Sequence, residues 1–386
     1  LSKLHDLNDI LISNQVDLFS VGSRIKKKSY LSFNITEKSQ INWVYPSDFM
    51  RLLWEGNGKS LLGRRANMDG LAIDAVHYRE YGLGFMHEIN DKLTIGGKVK
   101  YLYGMENVWT KTSKFGLTTD SLTYALSLDG ELEMYTSGIQ KFTNANGNIS
   151  VQDYVGGLNN RGFGLDLGAH YKINEKIDLS ASMVDLGFIN WKDDIQNYRK
   201  DPNVSFEFDG VDAGLIVNVT DSSAESALNT MVDSLENFFN FEEFQDEYRT
   251  SLTTRFMLGG AYHINESNTV GAMVSGMVLR GNFKQSISLS YNFRLKKFLS
   301  ASLAWSAYNR SFNNLGAGLS LNLGPVQVYA VTDNVLAIAS PPRRCPTKAL
   351  AAVNRPSANP ALSANTPIRI ENPRLGSKLP PIPVVK

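Results

Sequence analysis

The sequence predicts an all-β fold, an antiparallel transmembrane β-barrel of about 14 strands with short helices in the amino-terminal region and in one long loop. Three observations carry this. Segments of about ten residues alternate apolar and polar side chains, so each is a strand with one greasy and one polar face. Short turns with a shared signature join some segments, and long connections, at about 104–120, 137–161, 190–203 and 219–252, join others, the asymmetry of an outer-membrane barrel. The polar faces hold mostly Ser, Gly, Thr and Asn with scattered charges, where a solvent face would carry more Lys and Glu.

Leu4, Leu7, Ile10 and Leu11 stand at helical spacing within residues 1–17. A weak strand pattern follows near 17–25 and a clearer one at 30–36. Residues 46–55 read as a second helix: Pro46 opens it, Phe49, Met50, Leu52, Leu53 and Trp54 follow, and Gly56-Asn57-Gly58 ends it. Segments 1–17 and 46–55 are therefore candidate plugs, with surface helices at a rim as the alternative, because an unplugged bore of about 14 strands is a pore.

Strands are then expected near 69–78, 81–89 and 93–103, the last with Leu93, Ile95, Val99 and Tyr101 opposed to Thr94, Lys98 and Lys100. Further strands fall near 122–135, at 163–173 (Phe163, Leu165, Leu167, Tyr171 against Asp166, His170, Lys172), and near 177–186 and 204–218. The insertion 219–252 carries its own helix, with Ser222 and Glu225 as a capping box and Ala224, Leu228, Met231, Leu235 and Phe238 on one stripe. Strands near 255–264, 269–279, 286–295, 299–308, 315–323 and 326–333 complete the wall.

The turn signature recurs as His87-Glu88-Ile89-Asn90, Tyr171-Lys172-Ile173-Asn174 and Tyr262-His263-Ile264-Asn265, with a looser copy from Tyr291. Asn tolerates the left-handed angles of a tight turn. His87, Tyr171, Tyr262 and Tyr291 thus stand just before short turns, where an interfacial aromatic girdle belongs. Lys98, Lys100, Asp166, Lys172 and Arg294 are expected to face the lumen, since charge facing lipid is costly.

Residues 341–386 hold ten of the 13 prolines and eight basic residues against one acid, Glu371. Such a segment is expected to be a disordered basic tail. Residues 1–340 then carry 31 basic and 37 acidic side chains. The whole chain, with 39 basic and 38 acidic residues, makes no case for nucleic acid. One cysteine excludes a disulfide framework.

Tyr78-Arg79-Glu80-Tyr81-Gly82-Leu83-Gly84-Phe85, Gly96-Gly97-Lys98-Val99-Lys100-Tyr101-Leu102-Tyr103-Gly104, Phe206-Glu207-Phe208-Asp209-Gly210 and Leu323-Gly324-Pro325-Val326-Gln327-Val328-Tyr329 with its continuation to Asn334 carry a resemblance. Over about residues 5–335 the chain resembles an uncharacterised outer-membrane barrel family of Bacteroidota. That family is similar to the PorV/PorP barrels of type IX secretion and, more distantly, to FadL-like fatty-acid transporters. The resemblance implies an outer-membrane location and an internal plug, and it assigns no functional residue. Such barrels end on an aromatic-terminated strand, whereas the strand pattern here stops near Ala339.

No catalytic set, cofactor site or metal site is expected. The five histidines lack His-x-x-x-His spacing, and the Gly-x-Gly pairs lie within strands rather than before a helix. His170 shares a face with Asp166, a weak hint of a membrane hydrolase. The expected function is a non-enzymatic scaffold or accessory in cell-surface export or assembly. Its partners would be the lipid bilayer and envelope or secreted proteins docking through 219–252. The alternative is a FadL-like passive transporter of small or hydrophobic molecules.

Overall fold

The computed structural model describes residues 4–139, 159–208, 238–279, 281–296, 298–308, 311–323, 326–332 and 335. Its strands are β1 (Leu7–Lys26), β2 (Ser29–Pro46), β3 (Arg65–Asn67), β4 (Ala72–Glu88), β5 (Leu93–Thr119), β6 (Leu126–Ser137), β7 (Arg161–Lys172), β8 (Ile177–Trp191) and β9 (Asn197–Lys200). They continue as β10 (Phe206–Phe208), β11 (Glu242–Phe244), β12 (Tyr248–Ser251), β13 (Thr254–His263), β14 (Asn268–Leu279), β15 (Asn282–Leu295), β16 (Leu299–Tyr308), β17 (Ser311–Leu323) and β18 (Val326–Thr332). One helix, α1 (Ser47–Glu55), follows β2.

The long strands form one antiparallel wall in the order β1-β2-β4-β5-β7-β8-β13-β14-β15-β16-β17-β18. The short turns β1–β2, β4–β5, β7–β8, β13–β14, β15–β16 and β17–β18 share one rim. At the other rim β5 runs on past the wall and pairs with β3 and β6, while β6 takes on β9 and β10, and β11 joins β9. β12 extends the wall beside the upper part of β8.

The alternation resolves inside out. On β15, Ile287 and Leu289 are 51% and 50% exposed, and Ser288 between them is 3% exposed. Leu167, Leu258, Val274, Leu303 and Leu319 likewise face outward. Apolar side chains outside and small polar ones inside are the arrangement of a barrel set in hydrocarbon.

Several elements depart from the sequence reading. Residues 7–17 are the first half of β1, paired residue by residue with β2 from Leu7↔Pro46, and do not form a plug. Their helical spacing arises because both faces of the strand carry apolar residues, Ile10 and Ile12 on one and Leu7 and Leu11 on the other. The 46–55 segment is a helix, entered from Pro46 and closed by Gly56 at a φ of 72°. It sits at the long-connection rim, where Phe49 meets the outward Trp43 edge-on at 6.4 Å, and Leu53 and Trp54 are 61% and 75% exposed. It therefore does not fill the bore.

The patterns at 69–78 and 81–89 merge into β4, and the expected long connection 104–120 is the continuous upper half of β5. The pattern near 122–135 becomes β6 of the rim sheet rather than a wall strand, which brings the wall to twelve strands among the described residues. Of 204–218 only β10 is described. The helix proposed within 219–252 and the tail 341–386 lie outside the described residues, apart from Phe238 onward in the former.

Candidate functional site: a charge cluster across the lumen

The site begins with a change of phase in β8. Ile177, Leu179, Ala181 and Met183 alternate in one frame, and Leu186 and Phe188 alternate in the other. The extra residue makes a β-bulge against β7, where Leu165 pairs with Leu186 but Leu167 pairs with Met183. Asp185 occupies it at a φ of 59°, and its N–H donates to Asp166 Oδ1 at 2.8 Å. Short polar residues are the non-glycine residues that best tolerate that backbone angle.

The bulge turns the Asp185 carboxylate into the bore. Lys100 Nζ on β5 lies 2.6 Å from Asp185 Oδ1, 2.6 Å from Asp166 Oδ1 and 3.3 Å from Glu80 Oε2. Lys38 Nζ on β2 lies 3.0 Å from Asp185 Oδ1 and 2.9 Å from Glu80 Oε2. Lys98 adds a longer contact to Glu80 at 4.0 Å. Three lysines thus face three carboxylates. Asn34 donates to Glu80 Oε1 at 3.3 Å and to Thr36 at 2.8 Å, and Thr36 donates to Asp17 at 3.0 Å. Lys100 and Glu80 are almost wholly buried. Charges at that depth persist only when paired, and removing one partner is far more costly than the pair is stabilising.

The cluster spans the lumen. β2 and β8 are separated in the wall by β4, β5 and β7, a distance of about 19 Å along a flat sheet. Lys38 nevertheless touches Asp185, so the wall curls until its two sides meet. Gln40 Nε2 of β2 donates to Thr253 Oγ1 at 2.9 Å just above, and Lys284 of β15 is bonded to Asp9 of β1 near the same rim.

Toward the long-connection rim an aromatic cap covers the cluster. Trp191, Ile189 and Leu102 are fully buried, with Tyr78, Tyr135, Tyr248 and Leu252 around them. Tyr248 lies 5.0 Å from Tyr135, 6.1 Å from Trp109 and 6.3 Å from Trp191, ring centre to ring centre. Its hydroxyl donates to Asn107 Oδ1 at 2.9 Å, and Trp191 Nε1 donates to Thr250 at 2.8 Å. Both polar tips are therefore satisfied within the apolar cap.

Of the lumen charges expected from sequence, Lys98, Lys100 and Asp166 come together here. Lys172 and Arg294 stand apart near the short turns, in register with Asp178 and Ser300. Asp178 instead accepts from His263 Nε2 at 2.8 Å and lies 3.8 Å from His170 Nε2. Among the described residues His170 has no hydrogen bond to a serine, and its carboxylate neighbour is Asp178 rather than Asp166. Tyr171, Tyr262 and Tyr291 face outward, 43%, 47% and 44% exposed, and Tyr291 donates to Asn268 at 2.5 Å. His87 stacks on Phe85 and shares a hydrogen bond with Ser29 at 2.9 Å. Sequence reasoning missed Lys38, Glu80 and Asp185. The phase change in β8 signals Asp185, and extending the Tyr81-Leu83-Phe85 frame places Glu80 inside.

Comparison with known proteins adds a family. The model of a family of unknown function, DUF5723, matches residues 1–333. The chain belongs to this family. No curated protein sequence matches this DUF5723 chain. Among solved structures it is similar to the Pseudomonas putida toluene transporter TodX at 10% identity and a TM-score of 0.38, covering 84% of this chain and 80% of that one. It is similar to the Ralstonia pickettii toluene transporter TbuX at 9% identity and a TM-score of 0.35, covering 82% and 79%. A Pseudomonas aeruginosa FadL homologue matches at 10% identity and a TM-score of 0.34, covering 77% and 67%. With its apolar outer face, the DUF5723 chain has the architecture of an outer-membrane barrel.

Proposed function

We propose that the protein is a non-enzymatic passive transporter of the outer membrane. Small molecules would pass through its bore, and the Lys38–Asp185 cluster would set the constriction. One observation carries this: beneath the aromatic cap, in a wall whose inner faces carry mostly Ser, Gly and Asn, Lys38 of β2 and Lys100 of β5 are tied by charge to Asp185 of β8. Charged side chains crossing at this level narrow the bore, which sets a constriction of this kind apart from a wide general pore. The test is bilayer conductance and liposome swelling with solutes graded in size, charge and polarity. Wild type is expected to pass little, and K38M/D185L to pass more. If neither protein passes any solute class, the transport reading is wrong.

A second reading, a scaffold of the PorV/PorP kind in Bacteroidota, is supported by one feature of the rim. The tip of the β5–β6 hairpin exposes Leu122 and Tyr124 at 87% and 63%. Asp120 holds that tip by accepting from Leu122 N–H, Thr123 N–H and the Thr123 hydroxyl. A photocrosslinker at position 122 that captures no envelope protein in cells would count against docking there.

A further inference from the structure

The outer face of the same bulge region carries a feature that transport does not use. One row of outward side chains in register runs Ile35, Tyr81, Tyr101, Phe163, Phe188. The next row toward the long-connection rim runs Glu37, Arg79, Tyr103, Arg161, Asn190, Arg249. Aromatic side chains followed at once by arginines mark the top of an apolar belt. On β7, Arg161 stands about 23 Å above Tyr171 at a tilt of about 45°, close to the height of such a belt.

The three arginines differ in their partners. Arg79 is bonded to Glu37 at 2.8 Å. Among the described residues Arg161 and Arg249 meet no carboxylate. Arg161 lies over the rings of Tyr103 and Tyr101 at 5.2 Å and 6.0 Å. Arg249 lies over Phe188 at 4.2 Å and donates its Nε–H to Asn190 Oδ1 at 2.7 Å. Rings and an amide position both guanidiniums, and among the described residues no carboxylate compensates their charge.

Directly below Arg249 is a groove of about 440 Å³ lined by Phe163, Leu165, Leu186 and Phe188. Its floor is the paired Gly164 and Gly187, which put no side chain into the wall. The bulge at Asp185 opens it, because β8 changes partner there from β12 to β13.

We propose that this groove binds one anionic phospholipid of the surrounding bilayer, its phosphate charge not balanced by a cationic headgroup. An acyl chain lies along Phe163, Leu165, Leu186 and Phe188, and the phosphate is held by Arg249 with Arg161 beside it. Charge complementarity selects this occupant: two arginines that meet no carboxylate among the described residues stand at the end of an apolar groove, and the planar guanidinium fork suits a phosphate. The proposal needs only the membrane-embedded wall and stands independently of transport.

Native mass spectrometry of the full chain, released from detergent micelles supplemented with dioleoylphosphatidylglycerol or dioleoylphosphatidylcholine, tests it. Wild type is expected to retain phosphatidylglycerol about tenfold better, and R161Q/R249Q to lose that preference. Heat-modifiable gel mobility reports folding; if the double variant does not fold, R161Q and R249Q alone must each reduce the preference. Equal retention of the two lipids by wild type overturns the proposal. A preference untouched by the substitutions overturns it too. Displacement of the lipid by glycerol phosphate at matched concentration makes the site a soluble-phosphate site and overturns the lipid assignment.

Discussion

Asp185 combines a backbone angle that most residues avoid with a carboxylate held by two lysines. The strain of a left-handed non-glycine residue is about 1–3 kcal/mol, and the two lysine contacts offset it. Asp185→Ala keeps the strain and leaves Lys38 and Lys100 one carboxylate short in a buried setting. It is expected to cost about 3–5 kcal/mol, read from the urea midpoint of the heat-modifiable gel shift. Asp185→Asn keeps the angle and can still accept hydrogen bonds, so it should fall between Ala and wild type. An alanine variant as stable as wild type would show that the lysines find other partners. The sequence does carry a signal for Asp185, the frame slip between Met183 and Leu186, but reading 177–186 as one strand passes over it. Lys38 carries no such signal, because its inward direction depends on the register with β4.

At the scale of the element, two cases separate what sequence shows from what it hides. The start of α1 is legible because Pro46 sets both a fixed φ and a missing donor. Its position is not, since an apolar stripe does not say whether bore, rim or lipid receives it. The upper half of β5 was hidden for a related reason: beyond Gly104 its residues pair with β6, and neither face follows the lipid-or-lumen rule. Two predictions belong here. A β-carbon at Gly187 would collide with the Phe163 carbonyl oxygen, so Gly187→Val should prevent β7 and β8 from pairing. Loss of the heat-modifiable form, beside an unaffected Gly58→Val control in open space, would be the readout.

The second prediction concerns acid. Burial alone pushes the Asp48 carboxyl up, but hydrogen bonds from Arg64 and from the Asn67 N–H outweigh it and hold it below the ordinary carboxylate range. A depressed folded value means that the contribution is complete above the unfolded carboxyl value and is lost as pH falls through the lower folded one. Protection of the α1 amides from hydrogen exchange, taken relative to the intrinsic rate at each pH, should therefore fall below about pH 4 more than that of the wall strands. Protection that rises or stays level in acid would contradict this.

For the whole molecule, the decisive relation is which side chains meet hydrocarbon. Ile287→Arg puts a charge on the outer face and is expected to cost about 2–4 kcal/mol near mid-belt. Ser302→Arg, on the inner face, should cost much less, since it meets water and small polar neighbours. Equal penalties, measured as folded yield in lipid vesicles, would contradict an inside-out wall. Fold class was the most legible property because the period of two is repeated in strand after strand. The order of the wall was harder, because β6 has the same alternation as its neighbours and differs only in whom it pairs with.

β5 has one more consequence. It is unbroken for 27 residues, from the short-turn rim to the hairpin that exposes Leu122, and it carries Lys98 and Lys100 on the way. A molecule pulling on that tip would act on one continuous strand about 90 Å long, bent only where Met105 and Lys111 interrupt its pairing. Mechanical load applied at the tip would thus reach the lysines of the charge cluster along a single covalent path.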